Sequence, residues 1–193
     1  DKIKKFIQNI MTQKLLVIDM ETNAIGSMRP PQQTITQFGW ILFDEKGNTL
    51  QQANNIVLGA KQINRVYANS LTLDEIKQKG IPLQNAFDNM CQYIDSETII
   101  YAHNADFDIG LLKYAGLNLP EVKIVCTMKN SINFCRLPKT GHAAKYPGFK
   151  FPKLSELANK LDIEVNTNNL HDALYDCQVT KSCVIKGREI GLF

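Results

Sequence analysis

Two hydrophobic periods divide the chain. Leu15 to Thr22 (LLVIDMET) is a short apolar run that ends in two acids. Thr34 to Asp44 and Thr49 to Leu58 read as two further strands around a hairpin turn at Glu45-Lys46-Gly47-Asn48. Three strands in succession predict an antiparallel meander at one side of a sheet. The period then lengthens. Thr72 and Glu75 form a capping box for a short helix that Gly80 and Pro82 end, and Leu83 to Ile94 carries Phe87, Met90, Cys91 and Ile94 on one helical face. A strand over Thr98 to Ala102, a helix over Ala105 to Tyr114, a strand over Val122 to Cys126 and a helix over Lys129 to Cys135 follow. Leu154 to Leu161 and Ala173 to about Ile190 are the last two helices. Strands alternating with helices predict parallel sheet members covered on their faces. Before the first strand, Ile3, Phe6, Ile7 and Ile10 fit a short amphipathic helix, and Gly26, Pro30 and Pro31 make Asn23 to Gln33 a loop. Leu137 to Pro152 is the one long irregular segment, and such segments are usually functional or mobile.

Length and composition narrow the class. The 193 residues, 44% hydrophobic and 21% charged, fit one soluble globular domain over residues 1–193, with 1–13 as an N-terminal helical extension. The longest apolar run near the N-terminus, Leu15 to Ile18, is too short for a signal-peptide core or a membrane span. The chain opens on Asp1, so it reads as a processed product or a piece of a longer protein, with Met11 an alternative start. Five cysteines, an odd number with no Cys-x-x-Cys pair, fit a reduced, cytoplasmic setting in which the thiols are small core residues. A net charge of +3 does not by itself argue for a nucleic-acid partner. Its distribution does more: between Glu121 and Lys153 seven basic residues stand against one acid. A strip of that kind beside an acidic site would suit a polyanion held near metal ions, and a solvated lysine-rich loop is the competing reading.

The acids supply the candidate chemistry. A strand's period of two puts Asp19 and Glu21 on one face, where they repel each other. Carboxylates held beside a buried strand call for a positive charge between them, and a divalent cation is the economical one. An isolated Asp-x-Glu would more often be two solvated acids at a strand end, but two further acidic motifs lie downstream. In YAHNADFDIGLL, Tyr101 to Leu112, Asn104 is placed to cap a helix that carries Asp108 about one turn in, while Asp106 faces another way, toward solvent. In LHDALYDC, Leu170 to Cys177, His171 and Asp176 would point about 140° apart on one helix, so they converge only if His171 lies in the loop before it, with Asp172 near the cap. Four carboxylates together suit hard cations such as Mg2+ or Mn2+ and leave the histidine available as a base.

With those motifs in order, the sequence resembles the DEDDh 3′-to-5′ exonucleases, the group of DnaQ-like proofreading exonucleases, ribonuclease T and oligoribonuclease. The resemblance covers nearly the whole chain: Asp-x-Glu-Thr closes the first strand, His-Asn-Ala-x-Phe-Asp opens a middle helix and His-Asp-Ala-x-x-Asp opens the last. It implies an α/β, ribonuclease H-like fold, a mixed five-stranded sheet with helices around it. It further implies Asp19, Glu21, Asp108 and Asp176 as ligands of two Mg2+ or Mn2+ ions, His171 as general base, and Met20, Thr22, His103 and Asn104 at the substrate. A strand-end histidine and a cap asparagine are more often structural, and Phe107 reads as core. Asn23-Ala24 stands where many members have Thr-Gly.

The implied activity is metal-dependent removal of nucleoside monophosphates from the 3′ end of a single strand, DNA favoured, with a polymerase subunit as a further partner and no membrane. Phosphate contacts carry no base information, so cleavage should tolerate sequence. Phe134, Tyr146, Phe149 and Phe151 flank the basic loop and can either stack on bases or pack within the protein, the second being the commoner role for any one of them. Trp40 reads as structural. The competing functions are an RNA exonuclease of the ribonuclease T or oligoribonuclease type, a ribonuclease H-like endonuclease or integrase, and a nucleic-acid-binding module without activity.

Overall fold

The computed structural model describes residues 13–23, 33–63 and 71–193. The helix expected within residues 1–10 and most of the loop between Asn23 and Gln33 lie outside them. Five strands form one mixed sheet in the order β3-β2-β1-β4-β5. β1 (Leu15–Thr22), β2 (Ile35–Phe43) and β3 (Thr49–Ile56) are the antiparallel meander, whereas β4 (Ile99–Ala102) and β5 (Lys123–Cys126) run parallel to β1. The helices are α1 (Leu73–Lys79), α2 (Leu83–Cys91), α3 (Ala105–Tyr114), α4 (Thr127–Asn130), α5 (Ile132–Cys135), α6 (Leu154–Lys160) and α7 (Ala173–Glu189), with a 3-10 turn at Gly141–Lys145. The capping box at α1 forms as read: Thr72 Oγ1 accepts the Glu75 N–H at 3.1 Å and Glu75 Oε2 accepts the Thr72 N–H at 2.8 Å. The single helix expected over Lys129 to Cys135 is instead two short ones that meet at Ser131, whose N–H and hydroxyl both bond the Thr127 carbonyl, at 3.2 and 2.7 Å.

Alternation along β1 sorts the core. Leu16, Ile18 and Met20 face a cluster with Phe87, Met90, Leu111 and Leu112, while Leu15 and Val17 face Cys177 and Val184 of α7. Asp19 and Glu21 continue the second series, so they point to the α7 face. A third cluster, with Leu157, Val179 and Cys183, buries the other side of α7, which is why its apolar positions do not form a single stripe.

Two features of the sheet open and shape its carboxyl end. β1 pairs with β4 only from Leu15 to Val17, so the two strands part before Asp19 and leave the backbone beyond Val17 available to other groups. On the opposite edge of β1, Gly39 of β2 lies across from Asp19. A Cβ on Gly39 would stand 2.5 Å from the Ala173 carbonyl carbon and 2.8 Å from the Leu174 nitrogen, so the first turn of α7 rests directly on the strand backbone. Gly39→Ala should force these two backbones apart and lower stability by about 1–3 kcal/mol in a denaturant titration; an unchanged midpoint would mean that α7 is free to shift.

Candidate active site

Three element ends meet where β1 and β4 diverge: the end of β1, the first turn of α3 and the start of α7. Each is held by a local device. Asp108 sits in the first turn of α3, buried, and its Oδ1 accepts the N–H of Met20 at 3.0 Å, one of the backbone groups β4 leaves unpaired. Asp172 caps α7: its Oδ1 accepts the Tyr175 N–H at 3.0 Å and its Oδ2 is held by Asn54 at 3.1 Å and Gln37 at 3.3 Å. Gln37 also accepts the Ala173 N–H at 3.3 Å. The start of α7 is thus tied to β2 and β3 by side chains that the sequence reading passed over. A buried glutamine and glycine in an otherwise apolar strand were the available signal.

His171 lies in the loop before α7, as its spacing from Asp176 requires, in the left-handed region at φ 68°. That conformation, tolerated by histidine more than by most residues, turns its N–H onto Asp176 Oδ2 at 3.2 Å and its ring Nδ1 to within 4.0 Å of Glu21 Oε1. Ligand atoms of Glu21, His171 and Asp176 all lie within 4.8 Å of one another. Asp19 and Asp108 join the same electrostatic cluster. Burial first, then Asp108, Asp176, Glu21 and Asp172, push the Asp19 carboxyl well above its ordinary value. Burial, then Asp176 and Asp172, raise Glu21 to about 8. Burial also raises Asp108 against the pull of its backbone N–H donors, and Asp176 to about 6 against the His171 N–H. His171 moves the other way: burial, then the positive charge of Lys153, hold its imidazole below the usual range and therefore neutral near pH 7.

The site suits a hard cation. Asp176 Oδ1 is buried and has no hydrogen-bond partner among the described residues, so an acceptor stands unmatched beside other carboxylates. An oxygen-rich donor set that raises its own pKa values is short of positive charge, and a divalent cation supplies it.

The other expected site residues fall differently. Met20 points to the face opposite Asp19 and Glu21 and is buried in the core, with its N–H taken by Asp108, so alternation removes its side chain from the site. Thr22 Oγ1 accepts from Gln33 at 3.4 Å at the end of β1. Asn23 closes the base of the β1–β2 connection through its N–H to the Thr34 carbonyl and its Oδ1 to the Thr34 N–H. Asn104 occupies the N-cap position of α3 but at φ 75°, with no capping bond from its side chain. Phe107, read as core, is 37% exposed. Asp106 does face outward, where it pairs with Lys129.

His103 has both ring nitrogens engaged, Nδ1 with Thr127 Oγ1 and Nε2 with the Pro152 carbonyl, each at 3.0 Å. Burial lowers its pKa to about 4, so the neutral ring donates from Nε2 to the carbonyl and accepts the Thr127 hydroxyl at Nδ1. Its geometry is that of the structural role, joining the end of β4 to the loop before α6.

Comparison with known proteins places the chain in a family. The family model described as Exonuclease, of the RNase T type, matches residues 16–183. The 3′-5′ exonuclease DinG of Bacillus subtilis is 26% identical over 174 residues, which cover 87% of this chain and 17% of that protein. A PolC-type DNA polymerase III of Mycoplasmopsis pulmonis is 26% identical over 188 residues, 95% of this chain and 12% of that one. The chain therefore spans only a small part of the length of these relatives. Among solved structures, the nuclease domain of 3′hExo, a DEDDh family member bound to rAMP, superposes with a TM-score of 0.71 at 13% identity over 94% of each chain. Escherichia coli exonuclease I in complex with a dT13 oligonucleotide gives 0.67 at 17% identity, over 94% of this chain and 42% of that one. The sheet is the ribonuclease H-like one of these neighbours, and since the matched stretch takes in all three acidic motifs, the chain belongs to the Exonuclease family, RNase T type.

Proposed function

We propose that residues 1–193 form a single domain that removes nucleoside monophosphates from the 3′ end of single-stranded nucleic acid, using divalent metal ions. The observation that carries this reading is the convergence of Glu21, His171 and Asp176 within 4.8 Å, beside the buried Asp108 and partly buried Asp19, where β1 and β4 part. Asp19, Glu21, Asp108 and Asp176 would hold two Mg2+ or Mn2+ ions, which when bound supply the charge that holds the scissile phosphate and makes water acidic enough to attack it. His171, kept neutral, takes the proton from the attacking water as its oxygen bonds to phosphorus and the bond to the 3′ oxygen breaks. That oxygen leaves with a proton drawn from solvent.

DNA is the favoured substrate, because the relatives similar over most of this chain include a PolC-type DNA polymerase III, and a polymerase is the matching partner. The RNA reading keeps a specific support in the structural likeness to 3′hExo bound to rAMP. No helix among the described residues is long and apolar enough to cross a membrane. A gel time course on 5′-labelled single-stranded DNA and RNA tests the function: a ladder shortening from the 3′ end only when Mg2+ or Mn2+ is present is expected. Cleavage that ignores a phosphorothioate-blocked 3′ end would mean an endonuclease instead.

Replacing the base and replacing a ligand should separate. His171→Ala should lower kcat by about a hundred- to ten-thousand-fold while calorimetry finds Mg2+ affinity within a few-fold; parallel loss of both would remove His171 from the base role. Asp19→Ala should abolish activity and metal binding together.

The acids also set a pH dependence of stability. A carboxyl whose folded pKa is raised, such as Glu21 from 4.5 to about 8, stabilises the metal-free fold fully below the lower value and loses that contribution as pH rises through the upper. The melting temperature in chelator should therefore fall across that window, and the stabilisation by added Mg2+ should grow over the same range. A chelated melting temperature that is flat there would show that the acids are not strained. Activity should fall in acid as His171 and the ligands take up protons.

A further inference from the structure

The loop from Leu137 to Lys153 contains four lysines and no acid. Although it holds little regular structure, it is braced along its length. The Lys150 N–H bonds the Leu137 carbonyl at 3.0 Å, Lys139 Nζ the Pro147 carbonyl at 2.6 Å, and the Lys150 ammonium Glu156 of α6 at 2.6 Å. His103 ties its end to β4 through Pro152. The bracing uses backbone and lysine groups, and the aromatic rings are left outside. Phe151 is 57% and Phe149 38% exposed, and neither stacks on another ring among the described residues. Tyr146, 55% exposed, differs: His142 packs edge-on against it and Lys145 covers it at 5.2 Å.

Lys153 caps α6, its N–H bonding Glu156 Oε2 at 2.8 Å, and of the four lysines its ammonium alone makes no hydrogen bond, ion pair or ring contact among the described residues; its charge reaches both Glu156 and His171. A braced loop that exposes two phenyl rings, next to an ammonium within electrostatic reach of His171 in the acidic cluster, combines the two contacts a single strand offers: stacking for its bases and charge for its backbone. Rings carried on a backbone held in advance cost less ordering when a base settles on them than rings on a loose loop would.

We propose that residues 149–153 form a holding surface for the single strand entering the catalytic centre, with Phe149 and Phe151 stacking on bases upstream of the scissile bond and Lys153 meeting the adjoining phosphate. The inference rests on the nuclease reading and extends it to the nucleotides beyond the one removed. Stacking and phosphate contact distinguish neither sugar nor base, so the surface takes any unpaired strand and excludes a duplex, whose bases are already stacked.

The test is binding without turnover. A fluorescein-labelled twelve-nucleotide oligo(dT), and its oligo(U) counterpart, are titrated with the protein in chelator and followed by anisotropy at several salt concentrations. Phe149→Ala and Phe151→Ala should each weaken binding about tenfold, and in turnover with Mg2+ should raise KM by the same factor without lowering kcat. Lys153→Gln should reduce the slope of log affinity against log salt by about 0.7. Ile190→Ala, an exposed apolar residue near the far end of α7, serves as the control and should change neither. Unchanged affinity in both phenylalanine variants, or an unchanged salt slope for Lys153→Gln, would overturn the proposal. Wild-type protein that binds neither oligomer would overturn it too and assign the exposed rings to a protein partner. Failure of the nuclease reading looks different: no ladder with Mg2+ or Mn2+, while strand binding and its loss in the variants persist.

Discussion

Burial of several carboxylates side by side, where they are held out of water and repel one another, is the constraint that the rest of the structure serves. Left to itself, such a cluster would spread into solvent or take up protons, and the raised pKa values of Asp19, Glu21, Asp108 and Asp176 record that tendency. The fold prevents the spreading with three separate anchors. β1 fixes Asp19 and Glu21 by pairing with β2 along its whole length. The Met20 N–H holds Asp108 where β4 has withdrawn, and Gln37 and Asn54 hold the Asp172 cap so that Asp176 arrives one turn later. Gly39 lets the third anchor work, because no side chain intervenes between β2 and the start of α7.

The acidic cluster is therefore assembled at the expense of stability. Neighbours of unlike sign would make an easier core; here the polar groups satisfy one another only in part, and the unmatched oxygen of Asp176 is the clearest remainder. Residues in the left-handed region stand at both loops that enter the site helices, Asn104 before α3 and His171 before α7. Local strain of this kind persists where surrounding structure over-determines it, and for His171 the return is direct: one backbone turn aims its N–H at Asp176 and its ring at Glu21.

The two remaining histidines outside this centre show how environment assigns roles to one side-chain type. His103 is buried with both nitrogens engaged and joins β4 to the loop that precedes α6, whereas His142 lies exposed in that loop against Tyr146. His171 has the intermediate environment, buried enough to stay neutral and open enough to meet water. The base role proposed for His171 needs both conditions at once.

Local pattern sufficed for much of this. The strands, the α1 capping box, the position of His171 before a helix capped by Asp172, and the common face of Asp19 and Glu21 all follow from periodicity and capping, which act over a few residues. The same alternation excluded Met20 from the site, a consequence present in the sequence once the face of Asp19 is fixed. What the sequence could not supply were contacts between segments far apart in the chain. Gly39 against Ala173, Gln37 and Asn54 on Asp172, His103 on Pro152, and the exposure of Phe107, Phe149 and Phe151 each depend on which surfaces meet after folding. Residue type and spacing marked the candidate groups; packing between distant elements decided which of them converge, because a side chain's partners across the fold are set by tertiary geometry and leave no periodic mark on its neighbours in sequence.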